Sequence, residues 1–481
     1  MKADKTLLFI LLVIALLALL CIVFPEKGIA FGSRRLFFPT LEEVMVREKS
    51  RSVVEKMEEL RESLRMQIFQ DSVSTANFLT RNDSLLFYTR FAIENPARIH
   101  LPGDDLTFLD SLFEKLSNCK ANNEIVHILH YGDSQIEGDR ITGFIRQNLQ
   151  EKFGGNGPGL LPAVQIIPST AVNQSASESM ERYTISGNFT NKAAHNRYGI
   201  LGQVSQVSGQ SMLSVRSRNT KTTYKNLENF SKIRLFVGRN EPGFQATLML
   251  PKEQAVTQSL KKSGVRTRVL TWDLKNPVKQ FSLQFSGSAE ITAIAVDGEN
   301  GVAVDNIPLR GSSGTFFSVI DTNSLVPAMK ELNTQLILLE FGGNMLPSIK
   351  NIKNIATYKK EMSKQIVHLQ NSYPKAKIIL IGPADMSVKV DGHLETIPFL
   401  AETVQGMKEA ALENGAAFWN MYEVMGGKNS MIEWVRNKPA LAASDYTHFT
   451  PRGAERIGEM FYESLMIYYD FIIFRKNLNI K

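Results

Sequence analysis

Apolar runs typical of buried β-strands alternate with helical segments over most of the chain beyond residue 124. The first apolar run, residues 125–131, is followed by helical spacing over residues 135–152. Parallel strands produce such an alternation, because each crossover between them needs a long connection, usually a helix. The pattern therefore predicts a flavodoxin-like, three-layer α/β/α fold around a parallel sheet. The other predicted strands are 335–340, 377–381 and 416–421, and the other predicted helices are 317–332, 356–372, 397–414 and 451–473.

Residues 166–300 interrupt this alternation. They are rich in Ser, Thr, Gly, Asn and Val, and they contain short alternating runs at 232–237, 246–250 and 291–296. Short strands separated by turn residues predict a β-sandwich or jelly roll inserted into the α/β domain. Two interpretations of this insert stay open: it binds a polymer, or it only packs beside the active site.

A chain of 481 residues exceeds the usual size of one domain, which predicts two folded regions with additional segments. Residues 41–69, rich in Glu, Arg, Lys, Met and Leu, predict a charged helix between the N-terminal segment and the α/β domain. The predicted boundaries are a cytoplasmic N-terminus at 1–5, a transmembrane signal anchor at 6–24, a helical membrane-proximal region at 25–120, the two parts of the α/β domain at 121–165 and 301–478, and the inserted β-rich domain at 166–300.

The N-terminal segment contains an almost purely apolar run, residues 7–24, preceded by Lys2 and Lys5. Its length suffices to cross a bilayer. A cleaved signal peptide is the alternative, but no Ala-x-Ala site follows the run, and Leu20 before Cys21 is too large for a lipoprotein signal. The pattern favours an uncleaved anchor at the cell membrane. Because the lysines precede the run, the catalytic body is predicted to be extracytoplasmic, in the periplasm.

Composition excludes several other classes of protein. The only cysteines are Cys21, inside the apolar run, and Cys119, so no disulfide framework is expected. The seven histidines show no metal-binding spacing, and the sequence predicts no metal ion and no cofactor. A net charge of +7, with basic and acidic residues interleaved, indicates a mixed solvated surface and no nucleic-acid partner.

Four short patterns contain the residues that serine acyl chemistry requires: GDSQ at 132–135, RGS at 310–312, GGN at 342–344 and DYTH at 445–448. Ser134 offers a hydroxyl nucleophile, His448 a general base and Asp445 a carboxylate to orient that base. Gly311 and Asn344 offer N–H donors for an oxyanion. Because Ser134 lies between a predicted strand and a predicted helix, we also expect the positive end of a helix dipole near its hydroxyl.

Each pattern also has a structural explanation. Asp133 and Ser134 are common helix caps, and paired glycines before Asn344 are common where a strand ends. Gly314 is an alternative to Gly311 as the donor on its loop. Taken together, the order of the patterns and their positions after predicted strands favour catalysis.

On these residues the chain resembles the SGNH (GDSL-type) hydrolase superfamily. The resemblance implies that Ser134 is the nucleophile, that Asp445 and His448 complete the triad, and that Gly311 and Asn344 help to bind the oxyanion. Two positions depart from the family pattern. Gln135 replaces the leucine of GDSL, and Met345 stands where many members carry an aspartate.

Three longer strings, residues 131–140, 153–161 and 419–427, resemble a branch that acts on O-acetyl groups of the cell envelope. This resemblance implies an esterase or O-acetyltransferase whose substrate is an acylated polysaccharide or peptidoglycan. Transfer would need acetyl delivered across the membrane, so the resemblance implies a multispanning membrane acyltransferase as a possible partner. The alternative is a non-catalytic polysaccharide-binding or assembly protein of the envelope.

Overall fold

The computed structural model describes residues 3–24, 29–31, 34–36, 59, 62, 81–186, 192–218, 224–262 and 264–477. The chain divides into two units, Met1–Lys56 and Met57–Lys481. In the first unit, helix α1 spans Ala3–Val23, and strands β1 (Ile29–Phe31) and β2 (Arg34–Leu36) pair antiparallel.

Helix α1 covers the apolar run that predicted a membrane anchor at 6–24. Several of its side chains lie outside the described residues, and within the part of the chain that is described no helix combines the length and hydropathy that crossing a bilayer requires. The structure therefore does not support the transmembrane helix, which stays a prediction from sequence. The charged helix predicted at 41–69 falls outside the described residues, except for positions 59 and 62.

The second unit is organised around a six-stranded sheet. Five strands run parallel and are buried along most of their length, because helices cover the sheet. A short sixth strand pairs antiparallel at one edge. In spatial order the strands are β14 (Gly301–Pro308), β4 (Ile125–Gly132), β15 (Thr334–Glu340), β16 (Lys377–Ile381), β19 (Ala417–Trp419) and β3 (Ile99–His100).

Helices pack on both faces of this sheet, which makes the three layers that the sequence predicts. One apolar cluster joins α5, α6 and α7 to side chains of β4, β15 and β16. On the opposite face α4 packs against β14, and Phe461 of α10 packs edge-to-face on Trp419. The helices are α2 (Arg81–Glu94), α3 (Asp110–Asn118), α4 (Thr142–Phe153), α5 (Thr322–Glu331), α6 (Ile352–Ser372), α7 (Leu400–Glu413), α8 (Met421–Val424), α9 (Ser430–Arg436) and α10 (Pro451–Asn477).

The inserted region forms a nine-stranded antiparallel sheet folded around its own apolar core. Its longest strand, β13, pairs with β8 and β10 in its first half and with β9 and β5 in its second half. The strands are β5 (Gly159–Leu161), β6 (Val172–Ala176), β7 (Glu181–Thr184), β8 (Gln203–Ser217), β9 (Phe230–Asn240), β10 (Gln245–Met249), β11 (Val256–Ser259), β12 (Arg268–Val278) and β13 (Gln280–Asp297). A separate hairpin joins β17 (Ser387–Val390) to β18 (His393–Thr396).

The insert and the α/β region share buried contacts. Phe236, Ala293 and Ala295 project from β9 and β13 into the same apolar cluster as α5, α6 and α7. A buried polar network accompanies this packing: Arg234 of β9 donates to Asp297 at 2.8 Å and lies 2.7 Å from the His127 ring. The other ring nitrogen of His127 is 2.8 Å from Asp305 of β14. These contacts make the insert part of one packed body with the α/β region.

The structure corrects three details of the predicted elements. The helix predicted at 135–152 begins at Thr142, because Gly138 and Asp139 both adopt φ +69° and end a short 3-10 turn, Glu137–Asp139. The helix predicted at 317–332 splits into a 3-10 turn, Phe317–Val319, and α5, which Asp321 caps. Strand β14 at the sheet edge was not predicted. Other short 3-10 turns are Pro102–Asp104, Lys225–Leu227 and Leu346–Ser348.

Candidate active site

Ser134 lies two residues beyond the end of β4, at the carboxyl edge of the parallel strands. Parallel α/β sheets bind ligands at this edge. The prediction that Ser134 opens a helix is wrong, because α4 begins only at Thr142 and a 3-10 turn intervenes. The dipole of α4 therefore does not explain the reactivity of the hydroxyl. Ser134 itself is half-buried.

Ser134, His448 and Asp445 form a continuous chain of hydrogen bonds. The Ser134 hydroxyl donates to Nε2 of His448 at 2.8 Å, and Nδ1 of the same ring donates to a carboxylate oxygen of Asp445 at 2.7 Å. The hydrogen bond from Nδ1 to Asp445 fixes the tautomer of His448 in which Nε2 is free to accept the serine proton. The three groups therefore have the geometry of a serine hydrolase triad.

A tight turn brings Asp445 and His448 together. Tyr446 between them adopts φ +56°, a left-handed conformation that bulky residues rarely take, and its carbonyl accepts from the amide of Ser387 at 3.0 Å. The other Asp445 oxygen accepts from the amides of Thr447 and His448, both at 3.0 Å. Partial burial opposes ionisation, but these hydrogen bonds prevail and lower the pKa of Asp445 below its usual value.

Two backbone amides next to the nucleophile are available to an oxyanion. Among the described residues, the N–H groups of Ser134 and Gly311 donate to no other protein group. Gly311 has φ +73°, and it lines the same open cleft as Ser134 and His448. Gly314, the alternative donor on this loop, donates instead to the Ser312 hydroxyl at 3.1 Å. The geometry therefore favours Gly311 of the two.

Asn344 reaches the same cleft from the end of β15. Its side-chain N–H groups donate to Asp133 at 2.9 Å and to the carbonyl of Ser312 at 3.2 Å. To bind an oxyanion, Asn344 has to exchange one of these contacts, and the longer one to Ser312 is the weaker. Gly342 makes the approach possible, since its φ is +116° and a Cβ there would lie 2.9 Å from Pro383.

Asp133 holds the Asn344 amide in place. One Asp133 oxygen accepts from the Asn344 side chain, and the other accepts from the backbone amide of Gln135 at 2.9 Å. Burial, with a further contribution from the Glu340 carboxylate, raises the pKa of Asp133 to about 7 despite these hydrogen bonds. Through the contact to Asn344, Asp133 positions the predicted oxyanion donor.

The sequence analysis missed a clamp between the nucleophile turn and the base loop. The side-chain amide of Gln135 donates to the carbonyl of Thr447 at 2.6 Å and accepts from the backbone amide of Phe449 at 3.3 Å. It therefore contacts the backbone on both sides of His448. Arg140 donates to the carbonyls of Ser134 at 2.5 Å and Phe449 at 3.0 Å. The only sequence signal was Gln135 itself, which departs from the leucine of the GDSL pattern.

Two spaces flank the nucleophile. A small pocket of about 90 Å³ is lined by Ser134, Asn344, His448, Pro383 and Met421, among others. On the other side an open cleft extends past Gly311 and Arg310. Within the described part of the chain no group of His, Cys, Asp and Glu side chains is arranged to hold a metal ion.

Neither a protein-family model nor a curated protein sequence matches the chain. Among solved structures, a peptidoglycan O-acetylesterase superposes with a TM-score of 0.59 and 20% identity, over 74% of this chain and 95% of that one. That likeness establishes the fold, which agrees with the superfamily that the four patterns resemble.

Two further solved structures resemble the chain only distantly. A family 2 carbohydrate esterase with a carbohydrate-binding domain, from Corynascus thermopiles (Myceliophthora fergusii), has a TM-score of 0.24 and 12% identity, over 61% of this chain and 99% of that one. A salicylyl-acyltransferase from a tetracycline biosynthetic pathway has a TM-score of 0.26 and 10% identity, over 60% of this chain and 95% of that one.

Proposed function

We propose that this chain, which has the fold of the SGNH hydrolase superfamily, is a serine esterase that acts on O-acetyl groups of a polysaccharide. One observation carries the proposal: the hydrogen-bonded chain from Ser134 through His448 to Asp445, with contacts of 2.8 and 2.7 Å. Free amides beside the serine complete the set of groups that acyl transfer needs.

In this mechanism His448 removes the hydroxyl proton of Ser134 as the serine oxygen attacks the ester carbonyl. Asp445 stabilises the imidazolium that forms. The carbonyl oxygen becomes negative and accepts from the amides of Ser134 and Gly311, and from Asn344 once its contact to Ser312 is exchanged. His448 then protonates the departing alcohol, which leaves an acyl-enzyme on Ser134. Water, activated by the same ring, releases the acid.

The size of the small pocket supports acetyl as the acyl group. Its volume of about 90 Å³ is small beside the roughly 300–1,000 Å³ of pockets that bind drug-sized ligands. Pro383 and Met421 line this pocket beside Ser134 and Asn344. A short acyl group such as acetyl therefore suits this space better than a long acyl chain does.

The test compares p-nitrophenyl acetate with the butyrate and octanoate esters. We expect acetate to be the best substrate and Ser134→Ala to lose about 10⁴-fold or more in kcat, with an unchanged thermal transition. Ser348→Ala, at an exposed serine outside the pocket, is the matched control. Equal turnover by the parent and Ser134→Ala would contradict the proposal. No turnover by the parent would favour a non-catalytic binding or assembly protein instead.

The polymer, its location and the acceptor are further proposals. We infer a cell-envelope polysaccharide or peptidoglycan as substrate from the longer sequence strings, and an extracytoplasmic location from the apolar run at 7–24. A sugar hydroxyl could replace water, since both acceptors share one acyl-enzyme. Transfer would need a membrane partner, a multispanning acyltransferase, to supply acetyl.

An acceptor competition separates hydrolysis from transfer. With an activated acetyl donor and increasing oligosaccharide, a transferase should form acetylated sugar at the expense of free acetate, because a bound hydroxyl is already oriented for attack. An esterase should release acetate at a rate that the oligosaccharide does not divert. Mass spectrometry of the sugar together with an acetate assay measures both products.

A further inference from the structure

A cavity of about 470 Å³ lies between the α/β region and the insert, beside the proposed active site. Its walls come from the end of β14, from the turn after Ser134, from strands β5, β7 and β8, and from the segment between β5 and β6. The cavity adjoins the open cleft of the active site, because five residues line both: Glu137, Gly138, Ile167, Arg310 and Gly311.

The walls of this cavity are mainly aliphatic, and among the described residues no Phe, Tyr or Trp lines it. Such a surface favours a saturated carbon chain, since contact with it removes apolar area from water. Ile166 at the edge is 65% exposed and extends the aliphatic surface outwards from the cavity. The main aliphatic residues are Leu160, Leu161, Val164, Ile166, Ile167 and Leu201.

Among the described residues that line the cavity, Arg182 is the one charged group without an ion-pair partner. Glu137 pairs with Arg310, and Asp139 pairs with Arg146. Arg182 is the remaining charged residue of the lining, and within the described part of the chain no carboxylate lies within ion-pair distance of it.

Arg182 is held towards the cavity by neutral groups. Its Nε donates to the side-chain oxygen of Gln203 at 2.5 Å, across the pairing of β7 with β8. Burial lowers the pKa of Arg182, although an arginine keeps its charge at neutral pH. A half-buried guanidinium without an acid favours an anionic ligand, and a carboxylate matches its planar fork.

We propose that this cavity binds an aliphatic carboxylate carried by the alcohol portion of the ester, with Arg182 as the group that recognises the carboxylate. The proposal rests on the proposed function, which places the acetyl group in the small pocket on the other side of Ser134. The alcohol portion then extends through the cleft past Gly311, where the cavity opens. The substrate is thereby a sugar or related alcohol with an acidic aliphatic substituent.

The test measures binding and does not depend on turnover. Ser134→Ala protein is titrated by calorimetry with ω-acetoxy alkanoates of increasing chain length, each compared with the methyl ester of the same acid. We expect one chain length to bind at least about tenfold more tightly as the free carboxylate than as the methyl ester, since a hydrogen bond to a charged group is worth that much. The plain alkanoate, without the acetoxy end, should bind more weakly.

Variants in the same Ser134→Ala background locate the effect. Arg182→Gln should abolish the preference for the carboxylate, Arg182→Lys should retain part of it, and Ile167→Trp should weaken the long members by narrowing the junction. Arg216→Gln, at an exposed arginine on β8, should change nothing. No preference for the carboxylate at any length, or a preference that survives Arg182→Gln, would overturn the proposal. Absence of esterase turnover in the parent would instead overturn the proposed function, because binding is read separately.

Discussion

The α/β region and the insert hold their functional groups in different ways. In the α/β region each proposed catalytic side chain follows the end of an element or sits on a tight turn, so a few adjacent residues define it. In the insert, the groups that face the cavity come from three strands and from the segment between β5 and β6, and Gln203 on the neighbouring strand positions Arg182. The proposed chemistry in the first region is local in sequence, whereas the proposed recognition in the second depends on strand pairing.

The two regions also differ in how they are stabilised against each other. The parallel strands are nearly continuous apolar runs, but the face that joins them to the insert contains the buried network of Arg234, His127, Asp305 and Asp297. Charged groups removed from water have to be paired, so this junction tolerates change less well than an apolar one. The insert is therefore not a module that can be removed without consequence for the α/β region.

The largest effect that we expect comes from removing the proposed general base. His448→Ala should lower kcat on a small acetyl ester by about 10⁴-fold or more, and adding Ser134→Ala should cost little beyond that, because the two residues act as one unit. Steady-state kinetics of the two single variants and the double variant measure this. Additive losses would show that Ser134 and His448 act independently, contrary to their 2.8 Å contact.

The next effect concerns the junction between the regions. Arg234→Met should destabilise the protein by about 3 kcal/mol, since it removes one of the two basic side chains, the other being His127, that face the buried Asp297. Urea unfolding followed by circular dichroism measures the change, and Arg216→Met at an exposed position of the same sheet is the control. A loss below about 1 kcal/mol, the range of surface ion pairs, would show that the network does not hold the regions together.

A smaller effect would sharpen the comparison at the edge of the active site. Gln135→Leu, which restores the residue of the GDSL pattern, should lower kcat by about tenfold to a hundredfold with KM nearly unchanged, because the base loop loses its contacts on both sides of His448. The thermal transition should shift little. A rise in KM with unchanged kcat would assign Gln135 to substrate binding and not to positioning the base.

Much of the α/β region could be predicted from the sequence, because long apolar runs and short motifs act over few residues. Strand β16 was predicted with the bounds that the structure has. The start of α4 was wrong, because two consecutive residues with φ +69° end the turn before it. Strand β14 was missed, since its Asp305 and Asn306 read as loop residues, yet Asp305 is fully buried against His127. Whether such residues are in a strand or a loop depends on their tertiary contacts, which a single sequence does not show.

Contacts between residues distant in sequence also explain which parts of the site the sequence did not reveal. The four patterns identified Ser134, Asp445, His448, Gly311 and Asn344, and the structure brings all five to one cleft. Arg140 was missed because its partners are backbone carbonyls, which leave no mark in residue types. The cavity beside the cleft was equally invisible, because its walls come from segments that only the insert's strand pairing brings together.

The position of β14 after the insert has a consequence for the order of folding. The ion pair between Glu137 and Arg310 joins residues 173 positions apart, and β13 leads through a short turn directly into β14, which ends beside Gly311. Closing so long a loop is entropically costly, and contacts of high sequence separation form slowly. The intervening strands shorten the effective loop once they have paired. We therefore expect that, in pulse-labelling hydrogen exchange during refolding, the amides of β8, β9 and β13 become protected before those of β14. The amides of the loop around Gly311 should become protected last.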